Sequence, residues 1–159
     1  MGDLALLGAA FAFGIGSALL PVFLNAELYI VGNAALVSES IIVAVVLTLS
    51  VGTVIGKAIV FELVRKGRRS IRTGVRKPTS NGWNLKIRAV SDWLITLLDR
   101  PYAGGLTVLA SSLVGVPPLA VVTIVAGASN QSRYLFLVLV FLGRTAQFLA
   151  IAFVIGKAF

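Results

Sequence analysis

Arg144 is the residue here that most demands a chemical partner. It stands eleventh in the 23-residue apolar run Tyr134–Gly156, and an unpaired arginine at the centre of a bilayer costs roughly 3 kcal/mol or considerably more, depending on the scale. A carboxylate or a bound anion would compensate it. Glu27 is the natural candidate, because it directly follows the break Leu20-Pro21-Val22-Phe23-Leu24-Asn25-Ala26-Glu27 and has Asn25 beside it. A carboxylate at the tip of a loop dipping into the membrane could also bind and release a proton. Gln147, about one helical turn beyond Arg144, can share the same polar cavity. The chemistry on offer is anion binding and proton exchange. Two bland alternatives stand beside it: an Arg144–Glu27 pair that merely locks the fold, and a Glu27 left on a surface loop if Leu4–Leu20 crosses the membrane outright.

Pro117 and Pro118 mark a second break of the same kind. Adjacent prolines remove two backbone donors and disfavour helix at the preceding residue, so the carbonyls around them need water, polar side chains or a ligand. Lys57 belongs to a different category. It lies toward the cytoplasmic end of its apolar run and is expected to snorkel to the surface. Glu39, in Ser38-Glu39-Ser40, reads as a helix N-terminal residue favoured by capping and the helix dipole. Gly52 and Gly56 form a small-xxx-small pair suited to close helix packing.

Membrane helices must position these groups, as composition shows. Of 159 residues, 58% are hydrophobic and only 13% charged, and the mean hydropathy is +0.98; a soluble domain cannot hide that much apolar surface. There are 14 Lys+Arg against 6 Asp+Glu, and ten of the basic residues lie between positions 57 and 88. That block lacks the interleaved aromatics of a base-stacking surface, so no nucleic acid is expected as a partner. The positive-inside rule accounts for it instead: the segment stays in the cytoplasm, where Arg68, Arg69 and Arg72 can attract anionic lipid headgroups. With no cysteine and no histidine, thiolate chemistry, Cys-based metal sites and the commonest metal ligand are missing. No enzymatic activity, metal or cofactor is expected. The apolar N-terminus carries Asp3 where a signal peptide would be basic, and so reads as part of the mature protein.

Residues 1–62 and 101–159 form two apolar blocks of similar length around a linker, 63–100, and suggest a duplicated unit. In each block the last segment, 40–61 or 134–156, has the ~20 residues that cross a ~30 Å hydrocarbon core. The preceding segments, 4–38 and 102–132, are too long for one span and broken near the middle. Each is expected to be a re-entrant hairpin, although 4–38 could just make two short spans. Opposed hairpins would meet near the midplane, the halves being related by a two-fold axis in the membrane plane. A weak echo between Gly56-Lys57 and Gly143-Arg144 agrees with duplication. Between the blocks, Ile87, Val90, Trp93, Leu94 and Leu97 follow helical spacing, which predicts an interfacial amphipathic helix over 85–100 with Trp93 at headgroup depth. Lys66–Asn84, with its glycines and Pro78, reads as a loop. The fold class is thus all-α integral membrane, an inverted repeat of re-entrant helical hairpin plus transmembrane helix, with a cytoplasmic basic loop and an amphipathic helix between the repeats.

Several of these residues together resemble the DedA family, also called the VTT or SNARE-associated Golgi protein family. The likeness rests on Gly115-Val116-Pro117-Pro118, Ala126-Gly127, Tyr134 and Phe136, and Gly143-Arg144, with looser matches at Leu20-Pro21, Glu27, Gly52 and Gly56. It covers roughly residues 17–157. The sequence departs from the family pattern in lacking a Pro-Gly-Glu/Asp tip, Pro21 standing six residues before Glu27, and in having no arginine beside the prolines of the second hairpin. The resemblance implies two opposed re-entrant hairpins and movement of lipid between leaflets, linked in bacterial members to proton-dependent recycling of polyprenyl-phosphate carriers. By it, Glu27 would be the hairpin acid and Arg144 its basic partner. The expected function is a transporter or scramblase for an anionic lipid in a prokaryotic inner (plasma) membrane, a homodimer being plausible for so small a chain. A non-transporting membrane subunit and a small ion or drug exporter are the alternatives.

Overall fold

The structure, a computed structural model, describes residues 2–21, 23–34, 36–73, 93 and 96–158. The elements are α1 (Gly2–Leu19), α2 (Ala26–Ala34), α3 (Glu39–Thr73), α4 (Pro101–Val114), α5 (Leu119–Ala128) and α6 (Arg133–Ala158), and no strand occurs among the described residues. Three stretches are long and apolar enough to cross a membrane: Gly2–Leu19, Glu39–Gly67 and Arg133–Ile155, with mean hydropathies of 1.6, 2.2 and 2.1. The chain is therefore membrane-embedded. At ~1.5 Å per residue, the nine residues of α2 rise about 14 Å, well short of a ~30 Å core. Segment 4–38 consequently does not make two spans; it is one long helix followed by a short one.

Both breaks have local causes. After α1, Pro21 has no N–H to continue the ladder, and the chain turns with Phe23 and Leu24 donating to the Leu20 carbonyl at 3.1 and 3.0 Å. After α4, Gly115 takes φ 80°, and its N–H donates to the Ser111 carbonyl at 2.9 Å. This left-handed C-terminal cap suits glycine, which has no Cβ to clash. The Ser111 hydroxyl then donates to the Pro117 carbonyl at 2.5 Å, satisfying an acceptor that the break would otherwise leave open.

The third helix corrects an expectation. Lys66–Thr73, read as the start of a loop, continues α3. Arginine and lysine are good helix formers, and one interior glycine, Gly67, costs only ~1 kcal/mol relative to alanine, too little to stop a helix already many turns long. The end of the span is also tied down. Arg65 donates to the carbonyls of Gln131 and Ser129 at 2.7 and 3.3 Å and lies 4.5 Å from the Phe61 ring centroid, while Arg133 pairs with Glu62 at 3.2 Å. Residues 74–92, and with them most of the expected amphipathic helix 85–100, lie outside the described residues. Leu98, near that segment's end, is buried in an apolar core, whereas Trp93 is largely exposed.

Within each half the first helix packs on the last, α1 on α3 and α4 on α6; the short helices cross over, α2 packing on α6 and α5 on α3. Lipid tails are as apolar as leucine side chains, so close packing and polar bonds must hold these contacts together. In the α1–α3 contact a methyl group at Gly14 would stand 2.5 Å from the Leu49 carbonyl oxygen and 3.0 Å from the Thr53 nitrogen. The two backbones touch there because neither Gly14 nor Gly52 carries a side chain. Two apolar clusters result, one around Ile30, Val45, Leu49 and Phe148, the other around Phe61, Val108, Val122 and Phe136.

Candidate functional site: a cationic cavity at the helix breaks

Both breaks border a single cavity of about 210 Å³. Pro21, Asn25 and Glu27 reach it from the α1–α2 break, Gly115, Pro118 and Ala120 from the α4–α5 break. The long helices contribute Thr53 and Lys57 from α3 and Arg144 from α6. At ~30 Å³ per liquid water, that volume corresponds to roughly seven waters, enough for a phosphate-sized oxyanion.

Arg144 and Glu27 meet across 117 positions of sequence. Arg144 Nη1 donates to Glu27 Oε1 at 2.5 Å and to Gln147 Oε1 at 2.7 Å. The two side chains of the ion pair are 14% and 33% exposed, so the pair is partly withdrawn from its surroundings. The guanidinium also lies 5.5 Å from the Phe148 ring centroid, and its Nε is buried without a hydrogen-bond partner among the described residues. Gln147 holds Arg144 but does not itself line the cavity.

Asn25 acts through the backbone. Its Oδ1 accepts the N–H of Glu27 at 2.9 Å, which is the bond of a helix N-cap, so Asn25 fixes the first turn of α2 and with it the backbone of the acid. Pro118 occupies the equivalent place before α5, without a side-chain bond to the helix. Pro117 is held by Ser111 and is not part of the cavity lining. Of the expected surface residues, Arg68, Arg69 and Arg72 fall on the extension of α3, and their side chains are outside the described ones; Trp93 is exposed.

Lys57 overturns the expectation of a snorkelling lysine. It is 3% exposed, and its Nζ donates to the Ala18 carbonyl at 3.1 Å, close to the end of α1. The helix does not end near it, Lys57 being the nineteenth of the 35 residues of α3, and the end of α1 packs over it at Ala18. The repeat of Gly56-Lys57 in Gly143-Arg144 is the sequence signal that marks this residue. In both cases the glycine presses on the first helix of its own half, near that helix's end. A methyl at Gly56 would stand 2.5 Å from the Ala18 Cβ, and one at Gly143 would stand 2.6 Å from the Ser112 Cβ.

The remaining contribution is backbone. Ala26 and Glu27 open α2, Leu119 and Ala120 open α5, and all four border the cavity. The N–H groups of a helix's first turn have no intrahelical acceptor, and the helix dipole places partial positive charge there. At α2 the Glu27 N–H is already taken by Asn25, so the start of α5, which has no side-chain cap, offers the freer donors; together with two cations and one carboxylate these ends make a site for an anion. Among the described residues no group of His, Cys, Asp and Glu could hold a metal ion.

Fold and site thus define an all-helical, membrane-embedded protein with a cationic cavity where its helices break. Compared with known proteins, the chain matches no family model, no curated protein and no solved structure.

Proposed function

We propose that this protein is a transporter or scramblase that passes an anionic lipid headgroup between the leaflets of a membrane. One observation carries the reading: Lys57, Arg144 and the first turns of two helices converge on one cavity against a single carboxylate, Glu27. A headgroup phosphate would exchange its water for these donors, and Glu27 would compete with it for Arg144, releasing the cation when it takes up a proton. The resemblance to the DedA family points the same way.

The same reading arranges the halves as an inverted repeat. Helices α1–α2 and α4–α5 are re-entrant hairpins entering from opposite sides, and α3 and α6 are the spanning helices. The basic end of α3, with Arg68, Arg69 and Arg72, faces the cytoplasm of a prokaryotic cell and holds anionic headgroups, and a second copy of the chain helps to close the cavity.

The test is leaflet exchange of a labelled phospholipid or polyprenyl phosphate in proteoliposomes, with native protein, Glu27→Gln and Arg144→Ala. Exchange by the native protein that is lost in both folded variants supports the reading. No exchange by the native protein, with or without a pH gradient, overturns it. A second reading, a non-transporting membrane subunit, is favoured by the Glu27–Arg144 bond, which clasps α2 to α6 while Gln147 steadies Arg144 within α6. It expects assembly, not exchange, to fail in the variants.

A further inference from the structure

The two halves of the cavity carry unequal charge. In one, the cation of Gly143-Arg144 on α6 meets Glu27, the second residue of α2. In the other, the cation of Gly56-Lys57 is on α3, against which α5 packs, and the second residue of α5 is Ala120. Ala120 and Lys57 line the same cavity. The half that holds Lys57 therefore has a methyl group and open space at the position where the other half has a carboxylate.

Lys57 needs what is missing there. It is 3% exposed and makes no ion pair among the described residues. An ammonium has three donors, and the Ala18 carbonyl takes one of them. A charge withdrawn from water without a counter-charge is costly. The other ionisable groups on the cavity are Glu27, already held by Arg144, and Arg144 itself, a like charge. At the start of α5, Leu119 and Ala120 add two N–H groups without intrahelical acceptors.

We infer that the Lys57 half is the anion's resting site, where a phosphate or phosphate monoester accepts hydrogen bonds from Lys57 Nζ and from the first turn of α5, occupying the place that Glu27 occupies in the other half. The inference deepens the proposed function and rests on it only for what the phosphate is attached to; free phosphate and a lipid headgroup share this chemistry. Arg144 and Glu27 then form the second, internally neutralised station, and an anion leaving Lys57 must displace Glu27 to occupy it.

The experiment supplies the absent carboxylate. Native protein in neutral-lipid nanodiscs, Ala120→Asp and Ala120→Asn are titrated calorimetrically with inorganic phosphate and, separately, with a short-chain alkyl phosphate. An acid at the second position of a helix favours the helix, so Ala120→Asp should fold, which circular dichroism checks. Ala120→Asp is expected to weaken both probes about tenfold or more, each tenfold being ~1.4 kcal/mol, while Ala120→Asn, of the same size without the charge, stays within about threefold of native. Tighter binding of the alkyl phosphate supports the site and assigns it to a headgroup; equal binding supports it and assigns free phosphate. The inference is overturned if Ala120→Asp binds like native, if Ala120→Asn loses as much as Ala120→Asp, or if neither probe binds. Failure of the leaflet-exchange assay alone removes the lipid and leaves the titration's outcome standing.

Discussion

Arg144 and Lys57 occupy the same local setting, a glycine followed by a cation on a long apolar helix, yet one is answered by a carboxylate and the other by a main-chain carbonyl. The difference comes from the short helices. α2 brings an acid at its second residue to α6, and α5 brings an alanine to α3. The packing of the halves can thus be alike while their charge is not, and a cavity built this way has one neutralised end and one open cationic end. Such a gradient can give an anion a direction.

The largest effect should come from Arg144→Ala, because it strands Glu27. Breaking a buried ion pair by removing one partner typically costs ~3–5 kcal/mol, and with Glu27 a third exposed about 2–3 kcal/mol is expected. Unfolding in a graded detergent series measures it. Arg144→Ala combined with Glu27→Ala should recover part of the loss, since the stranded charge goes too; a double variant less stable than the single one would show that the pair is not the source.

Single glycines in the two halves differ in what a methyl group would meet. A methyl at Gly52 would run into the Phe11 carbonyl oxygen, which is backbone, whereas one at Gly105 would meet the tip of the Leu139 side chain at 3.3 Å. Gly52→Ala should therefore cost ~1–3 kcal/mol, the range for overpacking, and Gly105→Ala well under 1 kcal/mol, because a flexible side chain can move aside. Equal losses would mean that the Leu139 side chain cannot move aside and that the α4–α6 contact is as rigid at Gly105 as the α1–α3 contact is at Gly52.

These contrasts also mark where the sequence was informative. The partnership of Arg144 and Glu27 was legible because an arginine in mid-span must be compensated, and the breaks were legible because Pro21 and Gly115-Val116-Pro117-Pro118 cannot continue a helix. The burial of Lys57 is hidden in the sequence because hydropathy falls at Glu62 and Arg65 and marks the end of the apolar stretch, not of the helix. Charged residues of high helix propensity carry α3 on to Thr73. The crossing of α2 onto α6 follows from that pairing, but the crossing of α5 onto α3 was not legible at all. Periodicity describes a helix's own faces and is silent on which of two similar long helices a short one will choose.

Lys57→Met is the direct test of the charge comparison. Removing this cation leaves no counter-charge behind, only the Ala18 carbonyl without its donor, a loss of ~1–2 kcal/mol for an unsatisfied buried acceptor that is offset in part because the uncompensated buried charge goes too, and the methionine chain refills the lysine's volume. The expectation is a smaller loss of stability than for Arg144→Ala, together with an anion affinity reduced about tenfold. A stability loss as large as that of Arg144→Ala would reveal an acid paired with Lys57 and remove the asymmetry.

The smallest effect concerns the caps. Asn25 closes the first turn of α2 through the Glu27 N–H, while Pro118 gives α5 no side-chain bond. Replacing an N-cap asparagine by alanine costs ~1 kcal/mol, and aspartate serves about as well as asparagine. Asn25→Ala should lower stability by about that amount and leave α2 as loosely begun as α5. Asn25→Asp should preserve the fold but place a second negative charge beside Glu27, on the neutralised side of the cavity. If the open Lys57 end is where the anion rests, Asn25→Asp weakens phosphate binding less than Ala120→Asp does, although each variant adds one carboxylate to the same cavity. Equal weakening would mean that the cavity attracts anions by its total charge alone, and the distinction between its two ends would have no functional content.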